Sequence, residues 1–386
     1  MTDLGRELHS FFRERKADFI NLLQSLVEQE TPSKEPASFT EILEIISHNF
    51  QKLDFNVEHT EGQQTAGQLL CKPEGFNSQV PTQLVLGHVD TVWNIGTLND
   101  MPFSVDGNKV SGPGIFDMKA GICMMIFAMK AIRELGKIFE VQPVFLITTD
   151  EEIGSRESKN LIIEQAKQAE RTFVLEPSLG TEGKIKTERK GIGQFEIIIK
   201  GKPSHAGLDP EKGVSAIVGL SNVVQQLVEL NDPEKGISVN VGTIEGGERA
   251  NVVAAKSKAV VDVRVPTTED GNEIKNKIYN IDPRLNGIEI TATGGIGRPP
   301  LEKNEANQKL WEITKSLGAD LDLHLKEGKS GGGSDGNFTN LFSPTIDGLG
   351  AVGEGAHAYH EKIFLEETLK RAELLTLLLL YPSVEE

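Results

Sequence analysis

The feature that most constrains this chain is a set of short apolar runs that break straight into ionisable residues. Leu84–Leu86 leads into Gly87-His88-Val89-Asp90, Val144–Thr148 into Asp150-Glu151-Glu152, and Thr172–Leu175 into Glu176. Helical periodicity lies between and beside them, over Phe39–Leu53, Met118–Leu135 and Ser158–Ala169. That alternation is the rhythm of an α/β sheet with crossover helices. Ligands of such sheets gather just beyond the strand C-termini, which is where these ionisable residues fall.

From residue 189 to 297 the rhythm changes. Strand Gln194–Lys200, helix Gly213–Asn231, strands Ile237–Ile244 and Lys256–Val265, helix Glu269–Tyr279 and strand Ile288–Thr293 follow in order. This is the β-α-β-β-α-β order of the ferredoxin-like split motif. After Arg298-Pro299-Pro300, a helical Asn304–Leu317, a Gly-rich loop and a helical Leu365–Tyr381 resume the first style. The expectation is an α/β domain in two parts, 1–188 and 298–386, interrupted by an inserted domain at 189–297. A chain of 386 residues is long enough for both.

Charge and hydropathy exclude other classes. Forty Lys and Arg against 57 Asp and Glu give a net charge of −17, and no Lys/Arg run exceeds two residues. Such a chain repels phosphate backbones, so no nucleic-acid partner is expected. The longest uncharged apolar stretch, Ala120–Met129, falls short of the roughly 18–20 residues that span a bilayer, so no membrane partner is expected either. The charged N-terminal segment lacks the apolar core of a secretion signal. Cys71 and Cys123 are too few for a disulfide framework. A cytoplasmic location follows as the expectation.

The ionisable residues have the character of metal ligands. His88 and Asp90 are two apart in an extended segment and share a face. A carboxylate so placed can hold an imidazole in one tautomer while the other ring nitrogen takes a metal, although strand-end histidines are often only hydrogen-bonded. Asp117, in Ser111-Gly-Pro-Gly-Ile-Phe-Asp117, taken alone reads first as a helix N-cap, a role that can coexist with that of a ligand. Three adjacent carboxylates at 150–152 repel one another unless a cation or proton intervenes. Glu151 and Glu152 point in different directions, so one is free to ligate and the other to handle protons. Glu176 and an imidazole from Gly353-Glu-Gly-Ala-His357-Ala-Tyr-His360 complete an N/O donor set, collected from five separate strand ends, that suits Zn²⁺. If Asp117 is shared, His88 and Glu176 serve one ion and Glu152 and His357 another, which makes a two-metal hydrolytic site.

The ordered series LGHVDTV, GPGIFDMKAG, TTDEEIGS, LEPS, KPSHAG and GAHAYHE resembles the co-catalytic di-zinc M20 metallopeptidases over nearly the whole chain. The resemblance implies a zinc-peptidase catalytic domain of the phosphorylase/hydrolase-like α/β class, interrupted by a ferredoxin-like lid through which the protein forms a homodimer. It implies metal ligands His88, Asp117, Glu152, Glu176 and His357, with Asp90 orienting His88 and Glu151 as general base. His357 is preferred over His360 because Glu361 follows it at the family's usual interval. Two divalent ions are implied, zinc foremost, with cobalt or manganese as alternatives. The activity implied is hydrolysis of the amide bond of a small peptide or N-acyl amino acid. His205 resembles the residue that reaches across the dimer to stabilise the oxyanion. Arg264 and Asn251 resemble the binders of the substrate's free carboxylate, although Arg264 is equally able to pair with Asp262. Gly331-Gly332-Gly333 would offer backbone N–H groups to the same carboxylate or serve as a linker. Lys184 and Arg298 resemble positions that favour a C-terminal glutamate or aspartate.

Two other readings compete. Gly332-Gly333-Ser334-Asp335-Gly336 matches the nucleophile pattern GxSxG, with Asp347 and His357 following in serine-hydrolase order. That reading leaves the acid clusters without a purpose. A non-catalytic amino-acid- or peptide-binding protein on the same scaffold would have little reason to keep Glu151 beside the metals.

Overall fold

The computed structural model describes residues 1–384. It divides into one unit of residues 1–188, 303–330 and 334–386 and a second of residues 189–302 with 331–333.

The first unit is built on a six-stranded sheet. Its order is Phe55–Thr60, Gln68–Pro73, Gln142–Thr148, Thr82–His88, Ala169–Val174 and Thr345–Ile346. The last four strands run parallel, and an antiparallel hairpin closes one edge. Thr82–His88 and Gln142–Thr148 are buried at every residue, as parallel strands covered on both faces must be. The helix Ala120–Glu134 is apolar nearly all round and accordingly lies inside the unit, against the closing helix Leu365–Leu380. Two N-terminal helices, Asp3–Glu14 and Lys16–Val27, bury their apolar stripes in the same core.

A smaller antiparallel sheet joins Gly353–Glu354, Lys362–Phe364, Lys109–Ser111 and Ser104–Asp106. Its pairing of Ile363 with Val110 brings two loops, distant in sequence, to one place. Gly121 contributes a close approach: a Cβ there would lie 2.4 Å from the Leu175 carbonyl oxygen. The bare backbone therefore lets the start of the Ala120 helix settle against the end of a central strand.

The second unit has the strands Gly191–Lys200, Ser238–Gly246, Lys256–Val265 and Glu289–Arg298 with the helices Ala216–Glu229 and Thr268–Tyr279. The sheet order is 238–246, 256–265, 191–200, 289–298, antiparallel throughout, which is the arrangement a split β-α-β-β-α-β chain makes. Burial alternates along Lys256–Val265, so Val261, Val263 and Val265 face the core while Lys258, Asp262 and Arg264 face away. This unit extends past residue 297 because Leu301 pairs with Arg189. It includes Gly331–Gly333 because the Arg189 guanidinium donates to the Gly332 and Gly333 carbonyls, at 3.2 and 3.0 Å. Among the described residues no helix is long and apolar enough to cross a membrane.

Candidate metal centre

Three central strands deliver four of the side chains. His88 ends Thr82–His88, Glu151 and Glu152 form a single turn after Gln142–Thr148, and Glu176 follows Ala169–Val174. Asp117 and His357 follow strands of the smaller sheet, so the five strand ends belong to two sheets. Asp117 lies in the turn after Lys109–Ser111, and His357 lies in the loop between Gly353–Glu354 and Lys362–Phe364. Both loops spring from neighbouring strands of the small sheet, and that pairing brings them together.

All five candidate ligands converge. His88 Nε2 lies 3.3 Å from Asp117 Oδ1 and 3.5 Å from Glu176 Oε1. His357 Nε2 lies 3.3 Å from Asp117 Oδ2 and 3.1 Å from Glu152 Oε1. The two oxygens of Asp117 thus face two different imidazoles. His88 also groups with Glu151 and Glu176 within 4.8 Å, so Glu151 stands at the same cluster. His360 is exposed and takes no place in it.

The cluster fits a divalent cation. His88 Nε2 and Asp117 Oδ1 are both buried with no hydrogen-bond partner, despite lying close to one another. Buried polar atoms are nearly always satisfied, so two orphans facing each other amid carboxylates mark a place for a shared cation. The electrostatics agree. Burial pushes the His88 pKa down, yet Asp117, Asp90 and Glu176 outweigh it and hold it well above the usual value. Contacts to Asp117 and Glu152 raise His357 to about 10. Burial raises Glu152 above the ordinary carboxylate range even with His357 opposing it. These are the marks of a surplus of negative charge that draws positive charge, as protons or as a metal ion, into the cluster. The imidazole and carboxylate donors are those Zn²⁺, Co²⁺ and Mn²⁺ accept.

Two buried carboxylates hold the surroundings in place. His88 Nδ1 is 3.0 Å from the Asp90 carbonyl oxygen and 3.4 Å from Asp90 Oδ1. The Asp90 carboxylate also accepts the N–H groups of Glu151 and Glu152 and, at 2.7 Å, the Ser33 hydroxyl. Glu361 does the same for the Asp117 turn. It accepts the N–H groups of Gly114, Phe116 and Asp117 at 3.0, 2.8 and 3.0 Å and the Trp93 indole at 2.9 Å. The sequence offered only the spacing of Glu361 from His357, and Ser33 carried no signal at all.

The proposed substrate groups lie mostly in the second unit. His205 is exposed, and its Nδ1 accepts the N–H groups of Gly207 and Leu208 at 3.1 Å each. The ring proton therefore sits on Nε2, leaving that nitrogen a donor. The Asn251 carbonyl accepts the Ala206 N–H at 3.0 Å, and His205 bridges to Val252, so the two loops adjoin. Arg264 makes a two-point pair with Asp262, at 2.9 and 3.1 Å. Arg298 is buried beside Gly333. Lys184, in the first unit, pairs with Glu182 at 3.3 Å. Ser334 is fully buried and its hydroxyl donates to Asp347, while His357 faces Asp117 and Glu152. Nucleophile and base are not assembled there.

Residues 84–381 match the profile of the family described as peptidase family M20/M25/M40. Carboxypeptidase G2 of Pseudomonas sp. (strain RS-16) is 29% identical over 348 residues, which is 88% of this chain and 83% of that protein. Succinyl-diaminopimelate desuccinylase of Wolinella succinogenes is 24% identical, over 91% of this chain and 96% of its own. Aminopeptidase PepT from Bacillus cereus superposes with a TM-score of 0.78 at 24% identity, over 93% of this chain and 96% of its own, a likeness of fold.

Proposed function

The chain belongs to peptidase family M20/M25/M40 and is a metal-dependent hydrolase; from that premise we propose that it cleaves the amide bond of a small peptide or N-acyl amino acid with a free carboxylate. The observation that carries the reading is the convergence of His88, Asp117, Glu152, Glu176 and His357, with Glu151 at the same cluster. His88 and Glu176 would hold one divalent ion, Glu152 and His357 a second, and Asp117 would be shared. Ions in such a site polarise the carbonyl and bring the pKa of water to about 7. Zinc is the proposed metal.

The chain's own groups do the rest. Glu151 takes the proton of the attacking water and passes it to the departing amine nitrogen. Asp90 fixes the His88 ring and the Glu151 turn together. His205, with its donor nitrogen free of the backbone, stabilises the oxyanion in an active homodimer whose contacts lie in the ferredoxin-like lid. Arg264, Asn251 and the N–H groups of Gly332 and Gly333 receive the substrate carboxylate. For Arg264 this requires exchanging Asp262 for substrate, a swap its planar fork permits. Lys184 and Arg298 are proposed to favour a C-terminal glutamate or aspartate. Two buried thiols that are not paired accord with a cytoplasmic enzyme.

The experiment is a hydrolysis screen of N-acyl amino acids and dipeptides with purified, metal-analysed protein, run beside a sedimentation measurement. Metal-dependent release of the amino acid is expected, with glutamyl C-termini leading. Equal rates for neutral and acidic amino acids would remove Lys184 and Arg298 from specificity. A fully active monomer would remove His205 from catalysis.

A further inference from the structure

Glu152 belongs to two places at once. Besides facing His357, it forms part of the wall of a cavity of about 570 Å³ that lies wholly in the first unit. That volume falls within the range of small-molecule sites. Pro32, Val92, Ile95 and Ile153 give the cavity apolar surface. Val92 and Ile95 are 44% and 58% exposed, so both present apolar surface that a ligand would cover. The floor is fixed to the site. Pro32 and Thr91 form a parallel bridge, the Thr91 N–H donates to the Thr31 carbonyl at 2.8 Å, and Ser33 donates to Asp90.

We propose that this cavity receives the acyl side of the scissile amide and selects an uncharged aliphatic acyl group. The inference rests on the hydrolase reading above, which puts the substrate carbonyl at the metal cluster and assigns the carboxylate-bearing amine half to Arg264 and Asn251. The acyl half is left to the wall that Glu152 shares with the cluster. Charge decides the class. With Glu152 taken up by the metal, Glu35 and Lys34 offset one another, so an acyl group ending in its own carboxylate loses hydration without gaining a cation of its own, whereas a methylene chain meets Val92, Ile95 and Ile153. An enzyme built this way prefers butyryl to succinyl, two acyl groups of the same chain length.

The test is kcat/KM of the metal-loaded, full-length protein on the N-acetyl, N-butyryl, N-hexanoyl and N-succinyl derivatives of L-glutamate and of L-alanine. Each methylene buried is worth roughly a factor of four, so burial of even two of the four extra methylenes should put hexanoyl above acetyl by more than about tenfold. Butyryl should exceed succinyl by a similar factor. The double variant Val92→Ser/Ile95→Ser changes exposed side chains and should flatten the hexanoyl-to-acetyl ratio. Calorimetry of hexanoate binding, weakened in that variant, reads the pocket without turnover. A flat series, succinyl equal to butyryl, or an unchanged ratio in the variant would overturn the pocket while leaving the hydrolase standing. Failure to hydrolyse any member of the series would instead overturn the hydrolase reading, and the acyl assignment with it.

Discussion

The Asp90 carboxylate accepts the backbone N–H of Glu151 at 3.1 Å, so the proposed proton carrier is aimed by the residue that also holds His88. Changing Asp90→Asn replaces one acceptor oxygen by an NH₂ group facing N–H donors. Metal affinity and kcat/KM should each fall about 10–100-fold, the usual effect of losing a partner behind a ligand. Chelator competition and steady-state kinetics measure the two; if both stay at wild-type values, Asp90 positions neither.

Glu151→Gln keeps the shape of the side chain and removes its ability to take a proton. Metal content by elemental analysis should remain at the wild-type level while kcat falls on the order of 10²–10⁴-fold. Wild-type turnover in the metal-replete variant would move the proton-carrying role to another residue.

Removing metal should cost activity and stability together. His88 Nε2 and Asp117 Oδ1 are orphaned donors and acceptors in the folded chain, and the unfolded chain has no such cluster, so binding favours the folded state. At a free metal concentration of 100 times Kd the gain is about 2.7 kcal/mol. A chelator should therefore lower the thermal midpoint and abolish hydrolysis, and added zinc should restore both. A midpoint indifferent to chelation would argue that these side chains hold no ion.

Burial pushes both thiols up, Cys71 and Cys123 alike, so in the folded protein they stay protonated well past the usual thiol range. In the unfolded chain they ionise near about 8.5. Their protonated burial is fully stabilising below that value, and the contribution is lost as pH rises above it, by about 1.4 kcal/mol per pH unit for each thiol. Denaturant unfolding from pH 7 to 10 should show this alkaline loss, and Cys71→Ala/Cys123→Ala should reduce it. An identical pH slope in the double variant would contradict the protonated burial of these groups.

Part of the site was legible because its residues are local to strands. His88, Glu152 and Glu176 stand immediately after apolar runs, and a parallel sheet puts all such positions on one edge whatever its details. The alternating valines of Lys256–Val265 announced their sheet in the same way. The N-terminal helices and the edge hairpin were less visible, their apolar stripes being short and interrupted by charge.

By itself the sequence determined which donors exist, that their carboxylates repel one another unless a cation or proton intervenes, and that two rhythms of secondary structure share the chain. Only the tertiary structure decided that the two oxygens of Asp117 face two different imidazoles, that Glu361 clamps the Asp117 turn, and that Glu152 also walls a cavity with Val92 and Ile95. Periodicity reports each segment's preference for a face or a strand, whereas these relationships depend on how Lys362–Phe364 registers against Lys109–Ser111. Such long-range pairing is fixed by the packing of the whole unit, and no local stretch of residues encodes it.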